Sequence, residues 1–130
     1  MPQLEKGGKW VFGWVIVNQD LIFQVPPVAY DEYGFMTDQE LAFTKGSHRS
    51  GGFGVGKHEV LDSNEFMTKR IITKTTMGRN RQITLPTEMG IKPETRLLAV
   101  RGSNYALGFL LQGPIVELAQ IHPEIEVFTV

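Results

Sequence analysis

The stretch GFMTDQELAFTKGSHRSGGF, residues 34–53, lies without a gap over GIKPETRLLAVRGSNYALGF, residues 90–109, at an offset of 56. Six of the twenty pairs are identical, Gly34/Gly90, Leu41/Leu97, Gly46/Gly102, Ser47/Ser103, Gly52/Gly108 and Phe53/Phe109, where ordinary residue frequencies would match about one or two by chance. Upstream the offset becomes 60 and sets Phe23-Gln24-Val25-Pro26 over Ile83-Thr84-Leu85-Pro86, so the second copy is four residues shorter between its proline and its glycine. The 130 residues are therefore two copies of one unit, about 9–66 and 67–130. A unit of that size buries only about 60% of its unfolded surface and is marginal alone. The expectation is a single domain over residues 1–130 with one core shared by both copies.

Within the first copy, residues 14–17 and 21–25 read as two strands around the polar turn Asn18-Gln19-Asp20, a hairpin. Pro26-Pro27 ends the second strand and offers a first-turn proline to a short helix over 28–33, stopped by Gly34. Third strands follow at 41–45 and 97–101, and fourth strands at 52–55 and 106–111. Helices are expected at 58–62 and, more firmly patterned, at 114–120, where Ile115, Leu118 and Ala119 have helical spacing. The alternating tail 124–130 reads as a last strand, added to the sheet edge or to a neighbouring chain. The pattern predicts a mainly β fold with short helices, closed into a barrel with approximate internal two-fold symmetry, because closure removes the edges of so small a sheet.

Composition narrows the function classes. With 13 Lys+Arg against 14 Asp+Glu the net charge is −1, so attraction to an anionic partner has to come from local clustering. The absence of cysteine excludes a disulfide framework, a Cys nucleophile and thiolate metal ligation, and it fits a reducing, cytoplasmic setting. No apolar run reaches the roughly 18 residues of a membrane helix, and no membrane is expected as a partner. The short apolar stretch holding Trp10 and Trp14 is followed by Asn18, Gln19 and Asp20, not by a small-residue cleavage site.

The run Met77-Gly78-Arg79-Asn80-Arg81-Gln82-Ile83-Thr84-Leu85-Pro86, followed by Met89-Gly90-Ile91-Lys92-Pro93-Glu94-Thr95-Arg96-Leu97, resembles the AbrB/SpoVT-type transcription regulators. Their pattern is a basic strand, a turn, an Ile-Thr-Leu-Pro-like strand, a helix and a Gly-Ile-Lys-Pro-Gly-Asp turn. The second copy matches about thirty residues of it, and the first copy matches more faintly at Val25-Pro26-Pro27, Tyr33-Gly34-Phe35 and Thr37-Asp38-Gln39-Glu40-Leu41. The resemblance implies a swapped-hairpin, cradle-loop barrel that a duplicated chain builds alone. It also implies a non-catalytic regulator whose partner is double-stranded DNA, working as a homodimer or higher homo-oligomer.

The chain departs from that family where positive charge is concerned. The helix expected after Pro26 carries two acids and no base, and in the second copy the four missing residues fall in the same helix. What remains is the segment 69–81, with Lys69, Arg70, Lys74, Arg79 and Arg81 and no acid, a charge of +5 against −6 for the rest of the chain. These five are the candidate phosphate contacts, and five contacts would give a steep salt dependence. Lys45 and Arg101, at matched positions of the two copies, are secondary candidates. The plain alternative is that such bases only keep a strand edge soluble.

Other constellations point less far. Gly51-Gly52-Phe53-Gly54-Val55-Gly56-Lys57-His58 nearly spells a phosphate-binding loop, but His58 stands where that motif needs Ser or Thr, and Gly52-Phe53 matches Gly108-Phe109 in an apolar strand. The neighbouring loop 46–52, with Arg49 and its backbone amides, can cradle an anion. A module that has lost DNA and takes a small ligand or a protein through 46–56 is therefore the competing reading. His48, His58 and His122 stand at no metal-ligand spacing, and no nucleophile elbow is present, so no catalytic residue, metal or cofactor is assigned. Nine aromatics lie in the first 53 residues, away from the bases, and are read as core.

Overall fold

The computed structural model describes Leu4 and residues 8–47 and 49–130. In the first copy β1 (Val11–Ile16) and β2 (Ile22–Gln24) lead into α1 (Pro27–Glu32), then β3 (Glu40–Lys45), β4 (Phe53–Lys57), α2 (His58–Asp62) and α3 (Glu65–Thr68). The second copy runs β5 (Ile71–Thr76), β6 (Gln82–Thr84), one turn of 3₁₀ helix at Thr87–Met89, β7 (Arg96–Arg101), β8 (Leu107–Leu110) and α4 (Pro114–Gln120), and the chain ends with β9 (Val127–Phe128). The four-residue deletion has reduced the counterpart of α1 to that single turn. Gly34 at φ +67° and Gly90 at φ +71° follow the two helical segments, a left-handed conformation that glycine adopts without steric cost.

Seven strands form one sheet in the order β5-β3-β4-β8-β7-β1-β9, and β2 pairs with β6 in a separate ribbon. The first strand of each copy lies on the other copy. β1 runs antiparallel to β7 with Trp14 opposite Leu98, and β5 runs antiparallel to β3 with Lys74 opposite Ala42. These two pairings are related by the same offsets, 60 and 56, that relate the copies in sequence. The connecting hydrogen bonds repeat too: Val25 N–H donates to the Arg81 carbonyl and Leu85 N–H to the Leu21 carbonyl, both at 2.8 Å. Likewise Val17 N–H meets Thr95 O at 3.0 Å and Met77 N–H meets Gln39 O at 2.9 Å. The approximate two-fold passes through the β4–β8 ladder, where Phe53 pairs with its own counterpart Phe109.

The closed barrel is not formed. Closure would require β2 and β6 to join the outer strands; instead they satisfy each other, Ile22 opposite Thr84 and Gln24 opposite Gln82, and the seven-stranded sheet stays open. The reading of residues 14–25 as a hairpin fails for the same reason. β1 and β2 flank a turn closed by Asn18 N–H on Ile22 O at 2.9 Å, but their ladder partners lie in the other copy. The mainly β character with short helices stands. The alternating tail contributes β9, which lies parallel to β1.

One face of the sheet and the inner side of the ribbon share a core drawn from both copies, including Val15, Phe23, Phe43 and Val55 with Ile83, Leu97, Leu107 and Phe109. Most of the early aromatics are spent there or, like Trp14, in a smaller cluster beneath α4. The other face is covered in two patches. α4 brings Val116 and Ala119 onto Trp14, Leu98 and Val100, while α2 and α3 bring Leu61 and Met67 onto Ala42. Among the described residues no helix is long and apolar enough to cross a membrane.

Candidate nucleic-acid interface

The basic segment begins where α3 ends. Asn64 caps that helix by accepting from Met67 N–H at 3.0 Å, and the helix stops at Lys69, which is exposed. Arg70 then enters the sheet edge. Its carbonyl accepts from Lys45 N–H at 2.9 Å, and its guanidinium Nη2 donates back to the Lys45 carbonyl at 2.6 Å. Along β5 half-buried and exposed residues alternate, so Ile72, Lys74 and Thr76 face outward. β5 pairs only with β3, and its far edge is open among the described residues.

After the buried Met77 the chain turns through Asn80 and Arg81, both at positive φ, +55° and +60°. The turn separates the two arginines. Arg79 is exposed, whereas Arg81 is half-buried and donates from Nε to the Val25 carbonyl at 3.3 Å, a link between copies. Lys69, Lys74 and Arg79 thus form the solvent-facing part of the segment, and none of them is in an ion pair among the described residues.

The secondary candidates are used differently. Arg101 grips Glu32 with Nε at 2.7 Å and Nη2 at 2.5 Å, and its guanidinium lies 5.0 Å from the centre of the Trp10 ring. The hydrogen bond from Arg101 holds the Glu32 carboxyl below the usual carboxylate range. Lys45 is exposed just before the 46–52 loop and Arg49 is exposed within it. The phosphate-loop-like run is a strand followed directly by the short α2, and Lys57 reaches away to Gly34, its Nζ 3.1 Å from where a Cβ there would stand.

Of the histidines, His58 pairs with Glu40 at 3.0 Å and His122 with Glu124 at 2.7 Å, while His48 lies outside the described residues. Among the described residues no three His, Asp or Glu side chains converge as metal ligands.

The two halves of the sheet differ at their ends. Lys74 occupies in the second copy the position of Trp14 in the first. Trp14 is buried beneath α4, its backbone N–H bonded to Glu126 O at 2.8 Å as β9 covers that edge. Among the described residues the equivalent edge at β5 carries no such strand. A duplicated β scaffold has one edge sealed by its tail and the other left open and basic.

Sequence reading did not find the Tyr33 clasp. Its hydroxyl donates to Ser103 O at 2.7 Å and sits 3.2 Å from Ala106 O, fastening α1 to the second copy. Burial, reinforced by the Glu32 charge, pushes the phenol up to about 12. The folded state thus favours the neutral phenol, so the associated stability is intact below the ordinary value of 10 and is lost as pH rises toward about 12. An absorbance titration at 295 nm is expected to show a late phenolate step that Tyr33→Phe removes; an unchanged titration in that variant would contradict the clasp. Lys9, the offset-60 counterpart of Lys69, is likewise exposed.

Fold and surface define the class: a mainly β domain of two strand-exchanged copies with one open cationic edge. No family model, curated protein or solved structure matches this chain.

Proposed function

We propose that this protein is a non-catalytic cytoplasmic regulator that binds double-stranded DNA through its open edge, with Lys69, Lys74 and Arg79 on the phosphates. The observation that carries the reading is the asymmetry just described. Of two equivalent sheet edges, the uncovered one holds exposed bases without ion-pair partners among the described residues. An edge lysine protects against strand addition, but Lys69 and Arg79 lie beyond the two ends of β5 and do not serve that purpose. The local resemblance of residues 77–97 to the AbrB/SpoVT regulators favours the same partner, but it does not extend to the closed barrel it implied, which this chain does not form. Arg70 and Arg81 hold backbone carbonyls and support the segment.

Three phosphate contacts predict a log–log salt slope of about −2.7 per chain, a loss of roughly forty-fold in affinity between 50 and 200 mM salt. Fluorescence anisotropy with a labelled duplex measures it. A homodimer placing two edges on one duplex doubles the slope. Absence of binding at 50 mM salt, or binding indifferent to salt, would remove the proposal.

A further inference from the structure

The outer face of the sheet contains a trough between its two helical covers. At its floor β4 and β8 place Gly54 directly opposite Gly108, with the Thr44 hydroxyl and the Val100 side chain packed so closely over them that a Cβ on Gly54 would collide with the Thr44 oxygen; the trough lies above these groups. The space is a cavity of about 320 Å³. Met67 and the largely exposed Phe66 of α3 wall it on one side, Val100 and Leu110 on the other. Thr44 and Ser50, the buried polar residues among those described, both line it.

The rim is cationic. Lys9, Lys45 and Arg70 line the cavity, and among the described residues no acid does. Arg70 is fixed there by its 2.6 Å bond to the Lys45 carbonyl, and the other N–H groups of its fork stay available. Ser103 adds a hydroxyl that accepts from Tyr105 N–H at 3.1 Å and Ala106 N–H at 3.2 Å, which leaves its own proton to donate. A second cavity of about 250 Å³ on the far side of the 46–52 loop shares Lys9, Ser47, Ser50 and Leu110 and adds Arg49. Small-molecule sites combine an apolar body with a few convergent polar groups, and this trough has both.

We propose that the trough binds a small amphipathic anion, its phosphate or carboxylate head held by Lys9, Lys45 and Arg70 and its apolar body laid over Gly54 and Gly108 against Met67 and Phe66. A charged head alone forgoes the floor, and a neutral body alone forgoes the rim. The site shares Arg70 with the basic segment, but Lys69, Lys74 and Arg79 do not line it. A chain that ignores duplex DNA yet takes this ligand would overturn the function proposed above and leave the trough standing.

The test is a titration of the full chain with hexyl phosphate, hexanoate, hexanol and inorganic phosphate, followed by the backbone amide signals of Gly54, Gly108 and Ser50. Hexyl phosphate or hexanoate is expected to move these signals with an affinity at least about tenfold above that of hexanol and of inorganic phosphate, since hydrogen bonds to charged groups are the stronger ones. Which of the two anions binds more tightly identifies the head group. Lys9→Glu/Lys45→Glu, both exposed in the fold, is expected to weaken binding at least about tenfold, with the thermal unfolding midpoint confirming an intact fold. Lys74→Glu/Arg79→Glu is expected to leave it unchanged. Equal responses to hexanol and hexyl phosphate, shifts confined to other amides, or unaltered affinity in Lys9→Glu/Lys45→Glu would overturn the proposal.

Discussion

Phe23→Ala is expected to lower the unfolding free energy by about 3–5 kcal/mol, the range for deleting a fully buried aromatic ring. Phe23 is fully buried on the three-residue strand β2. Its ring stands edge-on to Phe109 with centroids 5.0 Å apart and to Phe53 at 6.0 Å. Those two rings, related by the internal two-fold, stack on each other at 5.2 Å, and Phe43 meets Phe53 edge-on at 5.5 Å. The ring therefore fastens the β2–β6 ribbon to the sheet at the place where the copies meet. A short ladder cannot hold the ribbon there alone, and the surrounding rings cannot collapse into the void without breaking their own contacts. Urea unfolding should show one transition at a lower midpoint, because the core is shared. Ile83→Val, at the matching position of the other copy, should cost only about 0.5–1.5 kcal/mol. A loss below that range for Phe23→Ala would mean that the ribbon does not pack as described.

The identities that betrayed the repeat turn out to have physical roles. Leu41 and Leu97 are fully buried in the shared core. Ser47 and Ser103 each accept a backbone N–H three residues on, from Ser50 and Ala106, both at 3.2 Å. A Cβ on Gly52 would collide with the carbonyl oxygen of Phe109, a close approach that only glycine permits. Residues held by such local and pairwise demands leave a trace when a unit is duplicated, and the repeat was legible for that reason.

Strand partners were not legible in the same way. Apolar alternation and turn residues mark that β1 and β2 exist and that a turn lies between them, yet the same signals suit a hairpin and a pair of strands that part company. The exchange of first strands is decided by which faces bury most, a property of the whole chain. Closure failed as an expectation because counting strands ignores the alternatives for an edge. β9 covers β1, while exposed Lys74 makes the edge of β5 tolerable in water. The site was half legible. Charge counting located residues 69–81, but separating outward Arg79 from inward Arg81 needed the left-handed backbone at Asn80 and Arg81, conformations that neither residue type announces.

That separation makes the sharpest test of function a charge reversal at the outward positions. Lys74→Glu/Arg79→Glu is expected to weaken duplex binding at least about a hundredfold at 50 mM salt, since each lost charged hydrogen bond to a phosphate is worth about 1.5–3 kcal/mol and each new carboxylate repels. The salt slope should fall to about −0.9, the value for one remaining contact. Both residues are exposed, so the fold should survive, and the thermal midpoint provides the check. Lys92→Glu/Arg96→Glu makes the same change in net charge in β7 and the turn before it, in the half of the molecule whose sheet edge β9 covers; Arg96 lies there over the Trp14 ring at 4.8 Å. If overall charge governed binding, the two double variants would weaken it alike. If the open edge is the contact, only the first loses its slope. Equal losses in both variants would move the phosphates off this edge.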